Sequence, residues 1–159
     1  VYESIDGKPS IIEATRQAIE IMRLGGSVGY DFSVIRPKGS LVSSTESRAS
    51  GPVKHMQAFD TLCNTIIPTA APRGVQTGVL RCDHPDIFEF VSCKQVPGYS
   101  ASRDTKPLRN FDLHVGVTDK LMEAVLADGE FQLTHDAAPS AIQVAQGAFQ
   151  RDDGKWVYR

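Results

Sequence analysis

Apolar side chains recur at helical spacing in two segments of the chain. The first stripe consists of Ile12, Ala18, Ile19 and Met22. The second consists of Val53, Met56, Phe59, Cys63 and Ile66. Ser10 and Glu13 fit a capping box ahead of the first stripe, and Gly25-Gly26 behind it suits the left-handed backbone at which helices end. The pattern therefore predicts helices over about 10–24 and 52–66, with Pro52 in the first turn of the second.

Shorter apolar segments have the two-residue period or the compactness of β-strands. They are Val28–Phe32, Thr77–Leu80, Phe111–Val117, Phe131–Thr134 and a last segment after Asp153-Gly154. Two short helices are predicted among them, one from Asp83–Asp86 through Lys94 and one that Thr118 caps. Because helices and strands alternate through most of the chain, the expected fold class is α/β with part of the sheet parallel.

Three polar or irregular segments are predicted as surface loops because they lack either period. They are Ser43 to Ser50, Pro68 to Gly74 and Gln95 to Lys106. The Ala- and Gln-rich stretch after Thr134 predicts no definite element.

Charge and cysteine content exclude several classes of protein. The formal net charge of -2 gives no overall attraction for nucleic acid, so any phosphate must be bound by a few local cations. No apolar run is long enough to span a bilayer, and no signal peptide opens the chain. The three cysteines lack the spacing of a disulfide framework or a zinc knuckle. These features indicate a folded protein of the cytoplasm with buried free thiols.

Candidate chemistry is sparse when the residues are considered alone. Gly25 to Gly29 can bring the backbone close to a phosphate, or can simply end a helix and start a turn. Arg36 and Lys38 flank a proline and can clamp a phosphate, or can form a solvated basic turn. Arg73 and Gln76 belong to a small-residue loop where they can contact a base or a phosphate.

Neither a metal site nor a nucleophile motif emerges from the remaining residues. Cys82, His84 and Cys93 are ligand types that zinc accepts, but their spacing matches no common site. Asp83 and His84 are better explained as helix caps. His55, His114 and His135 have no neighbouring Ser or Cys in a recognisable nucleophile motif.

Several stretches, taken together and in order, resemble the large subunit of ribonucleotide reductases. They are Gly25–Ser33 with Arg36–Ser40, Ala49–Val53 with Phe59-Asp60, Arg73–Gln76, Gly78–Phe90, Asn110–Val125 and Lys155–Arg159. The sequence from Val79 to Ile87 is most similar to that of the adenosylcobalamin-dependent, class II enzymes. The resemblance covers essentially the whole chain.

This resemblance implies a fold, a reaction and a set of site residues. Residues 1–159 would form part of the family's ten-stranded α/β barrel, incomplete at both ends, in which ribonucleotides are reduced to deoxyribonucleotides by radical chemistry. The helices at 10–24 and 52–66 would pair with those of a second subunit in a homodimer. A deoxynucleoside triphosphate (dNTP) effector would bind at that junction, at Asp6, Arg36 and Lys38. The loop Pro72 to Thr77 would carry the effector signal through Arg73, Gly74, Val75 and Gln76, and Gly25 and Gly26 would line the substrate pocket.

The family's catalytic residues do not match any position in the chain. Its first redox cysteine corresponds to a position just before Val1, and its radical cysteine, substrate motif and C-terminal cysteine pair to positions beyond Arg159. The chain is therefore expected to be an interior fragment, inactive alone, of an enzyme that uses adenosylcobalamin. It departs from the family at Ser27, where a glycine is usual, and at Ala70-Ala71-Pro72-Arg73. Three alternatives stay open: a class I large subunit, a non-catalytic dNTP-binding assembly module, or one portion of a split gene.

Overall fold

The computed structural model describes residues 11–42, 47–66, 75–95 and 107–158. The helices are α1 (Ile11–Arg23), α2 (Pro52–Ile66), α3 (Ile87–Ser92), α4 (Asp119–Leu126) and α5 (Ala141–Ala145). The strands are β1 (Val28–Asp31), β2 (Leu41–Val42), β3 (Ser47–Arg48), β4 (Gln76–Arg81), β5 (Phe111–Gly116), β6 (Leu133–His135), β7 (Phe149–Gln150) and β8 (Trp156–Tyr158). Among the described helices, none has both the length and the apolar character needed to cross a membrane.

The main sheet has β4 at its centre, parallel to β1 on one side and to β5 on the other. This arrangement confirms the α/β prediction with parallel pairing. A second, antiparallel sheet in the order β6-β8-β7 is called the C-terminal sheet below, and β2 pairs with β3 as a small hairpin. The described strands do not close into a barrel, so the ten-stranded barrel is not seen in this part of the chain.

The core lies between the main sheet and helices α2 and α3. Its buried members are Phe32, Val53, Met56, Phe59, Leu80, Ile87, Phe90, Leu108 and Phe111. Gly78 allows this close packing, because a Cβ there would lie 2.7 Å from the Met56 terminal methyl and 3.3 Å from the Phe111 ring. A smaller cluster of Ala18, Met22 and Cys63 joins α1 to α2.

Helix α2 also fixes the start of β5 through polar contacts. The buried Asp60 carboxylate accepts hydrogen bonds from the Asn110 backbone N–H at 3.0 Å and from its side-chain amide at 2.9 Å. Asn64 on the next turn accepts from the same amide at 2.9 Å. The first two bonds satisfy the Asp60 carboxylate, which would otherwise be buried without partners.

Most predicted elements are present, and the differences have local causes. Helices α1, α2 and α4 and strands β1, β4, β5 and β8 are confirmed, and the Thr118 hydroxyl caps α4 by accepting from the Leu121 N–H. Helix α3 begins at Ile87, after turns at 82–86, and its N-cap is Asp86. The prediction that Asp83 and His84 cap this helix was wrong, because Asp83 binds the Arg81 guanidinium and the His84 ring binds the Ile35 carbonyl. Ser47 and Arg48 pair with Leu41 and Val42, so the predicted loop contains a strand.

Further differences fall in the last third of the chain. Strand β6 begins at Leu133, two residues later than predicted, and the Ala- and Gln-rich stretch contains α5 with a capping box between Ser140 and Gln143. Ser10 and most of the loops 68–74 and 95–106 lie outside the described residues.

We predict that Leu80→Ala lowers the free energy of unfolding by about 3 kcal/mol. Leu80 is 0% exposed, so its truncation leaves a cavity in the core. Leu126→Ala is the matched control, because that leucine is 85% exposed and should cost less than about 0.5 kcal/mol. Urea denaturation of the three proteins measures both values, and equal losses would contradict the assigned core.

Candidate functional site

The carboxyl end of β1 leads into a loop that carries both predicted phosphate-binding cations. We call residues 32–40 the Arg36 loop. The Phe32 N–H donates to the Val79 carbonyl at 2.9 Å, which keeps the start of the loop against β4. In open α/β sheets, ligands bind beyond the carboxyl ends of parallel strands, and the Arg36 loop lies at that edge.

Hydrogen bonds with the end of β4 and with the segment after it fix the Arg36 loop. The Ser33 hydroxyl accepts from the Arg81 N–H at 2.9 Å, and the His84 ring Nε2 lies 2.9 Å from the Ile35 carbonyl oxygen. The Lys38 N–H donates to the Asp86 carboxylate at 2.8 Å. Asp86 precedes α3 but makes no side-chain cap there, so its carboxylate serves the loop and not its own helix.

Arg36 faces an open pocket of about 420 Å³ at this edge. Its guanidinium is exposed and donates a long hydrogen bond of 3.4 Å to the Leu41 carbonyl. That bond satisfies only one of five guanidinium N–H groups, so the group retains donors for an anion. One of the two predicted cations is therefore exposed at this pocket.

Lys38 points to a different neighbour. Its ammonium forms an ion pair of 2.8 Å with Glu89 on α3, and the hydrogen bond to that carboxylate raises the pKa of Lys38. Both side chains are largely exposed, so the pair contributes little to stability. Lys38 does not line the pocket that Arg36 faces, and the two predicted cations are not brought together.

The pocket contains equal numbers of acidic and basic side chains. Its charged lining residues are Arg36, Arg81, Lys155, Asp31, Asp83 and Asp136. Arg81 donates two hydrogen bonds to the Asp83 carboxylate, which neutralises one charge of each sign. The pocket as a whole therefore has no excess of positive charge, and any anion must be attracted by Arg36 and Lys155 locally.

Two neutral imidazoles meet at the base of this pocket, which the sequence did not predict. The rings of His84 and His135 are 5.2 Å apart and pack edge to face. The Asp86 N–H donates to Nδ1 of His84, and the Ala137 N–H donates to Nδ1 of His135. Both rings therefore need their proton on Nε2. His84 donates it to the Ile35 carbonyl, and His135 to the backbone carbonyl of Ser33.

Burial lowers the pKa of both histidines, and it lowers the pKa of His135 to about 4. The neighbouring His84 and Arg36 act in the same direction on His135, whereas Asp136 opposes them. The same environment raises the pKa of Asp86 by burial, against the Lys38 hydrogen bond. Neutral rings are the state that supports the hydrogen bonds of the Arg36 loop.

The predicted substrate-pocket glycines lie at the other end of β1. Gly25 has a φ of +81°, and its N–H donates to the Met22 carbonyl at 3.0 Å. The Gly26 N–H donates to the Ile21 carbonyl at 3.0 Å. This pair of bonds is a Schellman motif, which ends α1 and satisfies its last carbonyls. Gly25 and Gly26 are therefore separated from the Arg36 pocket by the length of β1.

The predicted specificity loop is described only at its end. Arg73, Gly74 and the effector candidate Asp6 lie outside the described residues. Val75 is exposed just before β4, and Gln76 is the first residue of that strand and not part of a loop.

Gln76 is fully buried, and the Tyr30 hydroxyl donates to its Oε1 at 3.0 Å. Its Nε2 is the one buried side-chain nitrogen or oxygen without a hydrogen-bond partner in the described part of the chain. Burial raises the pKa of Tyr30, which keeps its hydroxyl protonated as the donor.

The cysteines and the weak zinc candidate have structural explanations. Cys63 and Cys82 are buried, Cys93 is half-buried, and none of the three is in a disulfide. Cys82 contacts the Thr118 hydroxyl at 3.6 Å, and the Cys93 thiol donates to the Phe90 carbonyl at 3.0 Å. Within the ranges that the structure describes, no group of His, Cys, Asp and Glu is arranged to bind a metal ion.

The family model and the relatives that match this chain all indicate the same protein family. The model of the family described as "Ribonucleotide reductase, barrel domain" matches residues 1–152. A vitamin B12-dependent ribonucleoside-diphosphate reductase of Mycobacterium tuberculosis (strain H37Rv) is 37% identical over 130 residues, which cover 82% of this chain and 17% of the relative. The corresponding protein of Thermoplasma acidophilum is 35% identical over 82% of this chain and 16% of its own length.

Other reductases are similar to the chain at lower sequence identity. A ribonucleoside-diphosphate reductase large subunit of Variola virus is 27% identical over 94% of this chain and 19% of the relative. The solved class Id ribonucleotide reductase alpha subunit of Actinobacillus ureae superposes with a TM-score of 0.57 at 23% identity, over 74% of this chain and 19% of that one. This last likeness concerns the fold alone. The chain spans less than a fifth of the length of each of these relatives.

We predict that the His135→Gln chain loses less stability in acid than the unaltered chain. Because folding lowers the pKa of His135 from 6.5 to about 4, its contribution is complete above about pH 6.5 and is lost as the pH falls toward 4. After allowance for partial exposure, the difference should be on the order of 1–2 kcal/mol.

The measurement is urea denaturation at several pH values across that window. His114→Gln, at an exposed position on β5, is the matched control and should follow the unaltered chain. Identical pH profiles for His135→Gln and the unaltered chain would contradict the proposed neutral imidazole.

Proposed function

The chain belongs to the ribonucleotide reductase barrel-domain family, and on that basis we propose that it is an interior part of a reductase large subunit that makes deoxyribonucleotides. Its share of the relatives' length supports the view that residues 1–159 are a portion of one catalytic barrel domain. The substrate of the whole protein is a ribonucleoside di- or triphosphate. No catalytic residue is assigned within the chain.

Adenosylcobalamin is the proposed cofactor of the whole protein. Relatives named as vitamin B12-dependent reach 35–37% identity with this chain, whereas the viral large subunit reaches 27%. Such a cofactor supplies the radical that starts the reaction. We assign none of the described side chains to binding it. A class I, metal-radical-dependent subunit is the alternative. The free thiols suit a reducing compartment, so the cytoplasm is the proposed location.

The part of the function that we assign to this chain is the binding of a dNTP effector. Arg36 is the observation that carries it. Its guanidinium is exposed, has unused donors and belongs to a loop whose backbone is hydrogen-bonded on both sides of it. Guanidinium groups bind phosphates by paired hydrogen bonds. Lys38 is a secondary contact, because its ammonium would have to leave Glu89 to reach a phosphate.

Homodimer formation through α1 and α2 is the proposed assembly. Leu24 at the end of α1 is 83% exposed, and Ile21 on the same side of that helix is 44% exposed. A second copy would remove these apolar surfaces from water. Because Leu24 adjoins Gly25, this contact would lie at the end of β1 opposite the Arg36 pocket.

We predict that Arg36→Gln weakens dNTP binding by the chain about tenfold, equivalent to roughly 1.4 kcal/mol. The glutamine keeps polar character but removes the charge and the paired donors. Isothermal titration with each of the four dNTPs measures the change.

Arg151→Gln is the control for the loss of one positive charge. Arg151 is exposed and pairs with Asp153 at 3.5 Å, outside the Arg36 pocket. The affinity of the Arg151→Gln variant for dNTPs should stay within about twofold of that of the unaltered chain. No dNTP binding by the unaltered chain, or equal losses in both variants, would contradict the effector role.

We also predict that Leu24→Lys shifts the chain from dimer to monomer in sedimentation equilibrium, because a lysine would place a charge in the apolar contact. Leu126→Lys is matched in exposure, at 85% against 83%, and it also lies at the end of a helix. That variant should sediment as the unaltered chain does. A dimer that survives Leu24→Lys would rule out this end of α1 as the contact.

A further inference from the structure

The Arg36 loop is held on a second side, by the C-terminal sheet and α5. The Gln143 side-chain amide on α5 donates to the Lys38 carbonyl at 3.0 Å. The Ser40 hydroxyl lies 3.1 Å from the Tyr158 hydroxyl on β8. These contacts join residues that are 105 and 118 positions apart in the chain. The loop therefore depends on a distant segment for its backbone position.

The direction of the Ser40–Tyr158 bond follows from the number of available protons. Tyr158 has one hydroxyl proton, which it donates to the Ala137 carbonyl at 2.6 Å. Ser40 must then be the donor in its bond with Tyr158. Ser40 is 0% exposed and Tyr158 is 7% exposed, so water cannot readily replace either bond. Burial also raises the pKa of Tyr158, which keeps this proton in place.

Gln143 has two functions that use different ends of its amide. Its Oε1 accepts from the Ser140 N–H at 2.9 Å and completes the capping box of α5. Its Nε2 donates to Lys38. One side chain thus connects the start of a helix to the residue two positions after Arg36. A change that keeps Oε1 and removes the Nε2 donor would release the loop while leaving the helix cap.

We propose that Gln143 and Tyr158 are positioning residues for effector binding, which they support by holding the Arg36 loop in its binding conformation. This proposal rests on the effector role of Arg36 proposed above. A loop that is already ordered loses less conformational entropy when a ligand binds. Without the two contacts, the part of the loop from Lys38 to Ser40 is held less firmly and must be ordered further by the ligand, so affinity falls although no ligand contact is removed.

Gln143→Glu is the variant that tests this most selectively. Glutamate serves the capping box as well as glutamine does, but it cannot donate to the Lys38 carbonyl. We expect dNTP affinity in isothermal titration to fall about fivefold. Gln150→Glu is the matched control, because Gln150 also donates from Nε2 to a backbone carbonyl, that of Gly154, within the C-terminal sheet and away from the loop. It should bind dNTPs within about twofold of the unaltered chain.

A second comparison separates two possible effects of Gln143→Glu on affinity: the loss of loop positioning and the added negative charge. In an Arg36→Gln background, Gln143→Glu should cause no further loss, because a positioning residue acts through Arg36. A charge effect would persist in that background and would overturn the proposal. Ser40→Ala adds no charge and should weaken binding in the same direction. Unchanged affinity in both Gln143→Glu and Ser40→Ala would overturn it as well.

Amide hydrogen exchange distinguishes failure of this inference from failure of the effector role. The Lys38 and Gly39 amides should exchange about tenfold faster in Gln143→Glu than in Gln150→Glu, with or without nucleotide. Faster exchange in a chain that binds no dNTP would retain the loop constraint and reject the effector role. Unchanged exchange would reject the constraint, whatever the chain binds.

Discussion

The parallel pairing of β4 with β1 and β5 determines what lies at each end of the main sheet. It brings the carboxyl ends of β1 and β4 to one edge, where the Arg36 loop meets the turns at 82–86. It also brings Gly25, Gly26 and Val75 to the opposite edge, near the start of the same strands. The effector contact that we propose and the substrate contact that the family resemblance implies would therefore lie at opposite ends of one short sheet. A change of register at β4 would alter both ends together.

Hydrogen bonds to the Arg36 loop hold it in place around the exposed guanidinium that we propose as a binding group. The loop receives donors and acceptors from His84, Asp86, Gln143 and Tyr158, so its shape does not depend on Arg36 itself. The side chain is thus free to meet a ligand while its backbone stays fixed. Lys38 illustrates the opposite case, because its ammonium is already engaged by Glu89.

Local patterns in the sequence predicted the elements well, and distant contacts poorly. The stripes on α1 and α2 and the Thr118 cap are set by neighbours three or four residues away, so spacing alone reveals them. Gln76 was expected in a loop because small residues precede it, but hydrogen bonding from Tyr30 and the pairing with β1 place it in a strand. The contact between His84 and His135 joins turns and strands that no periodicity links. The family resemblance predicted roles for Arg36 and Lys38, but the competing carboxylate of Glu89 became visible only in three dimensions.

Nuclear magnetic resonance titration of the chain with a dNTP reports where the nucleotide binds. If Arg36 binds the effector, the Arg36 guanidinium Nε–H and the backbone amides at 33–36 and 38–40 should shift. Shifts confined to other surfaces, with the Arg36 signals unchanged at saturation, would contradict that role.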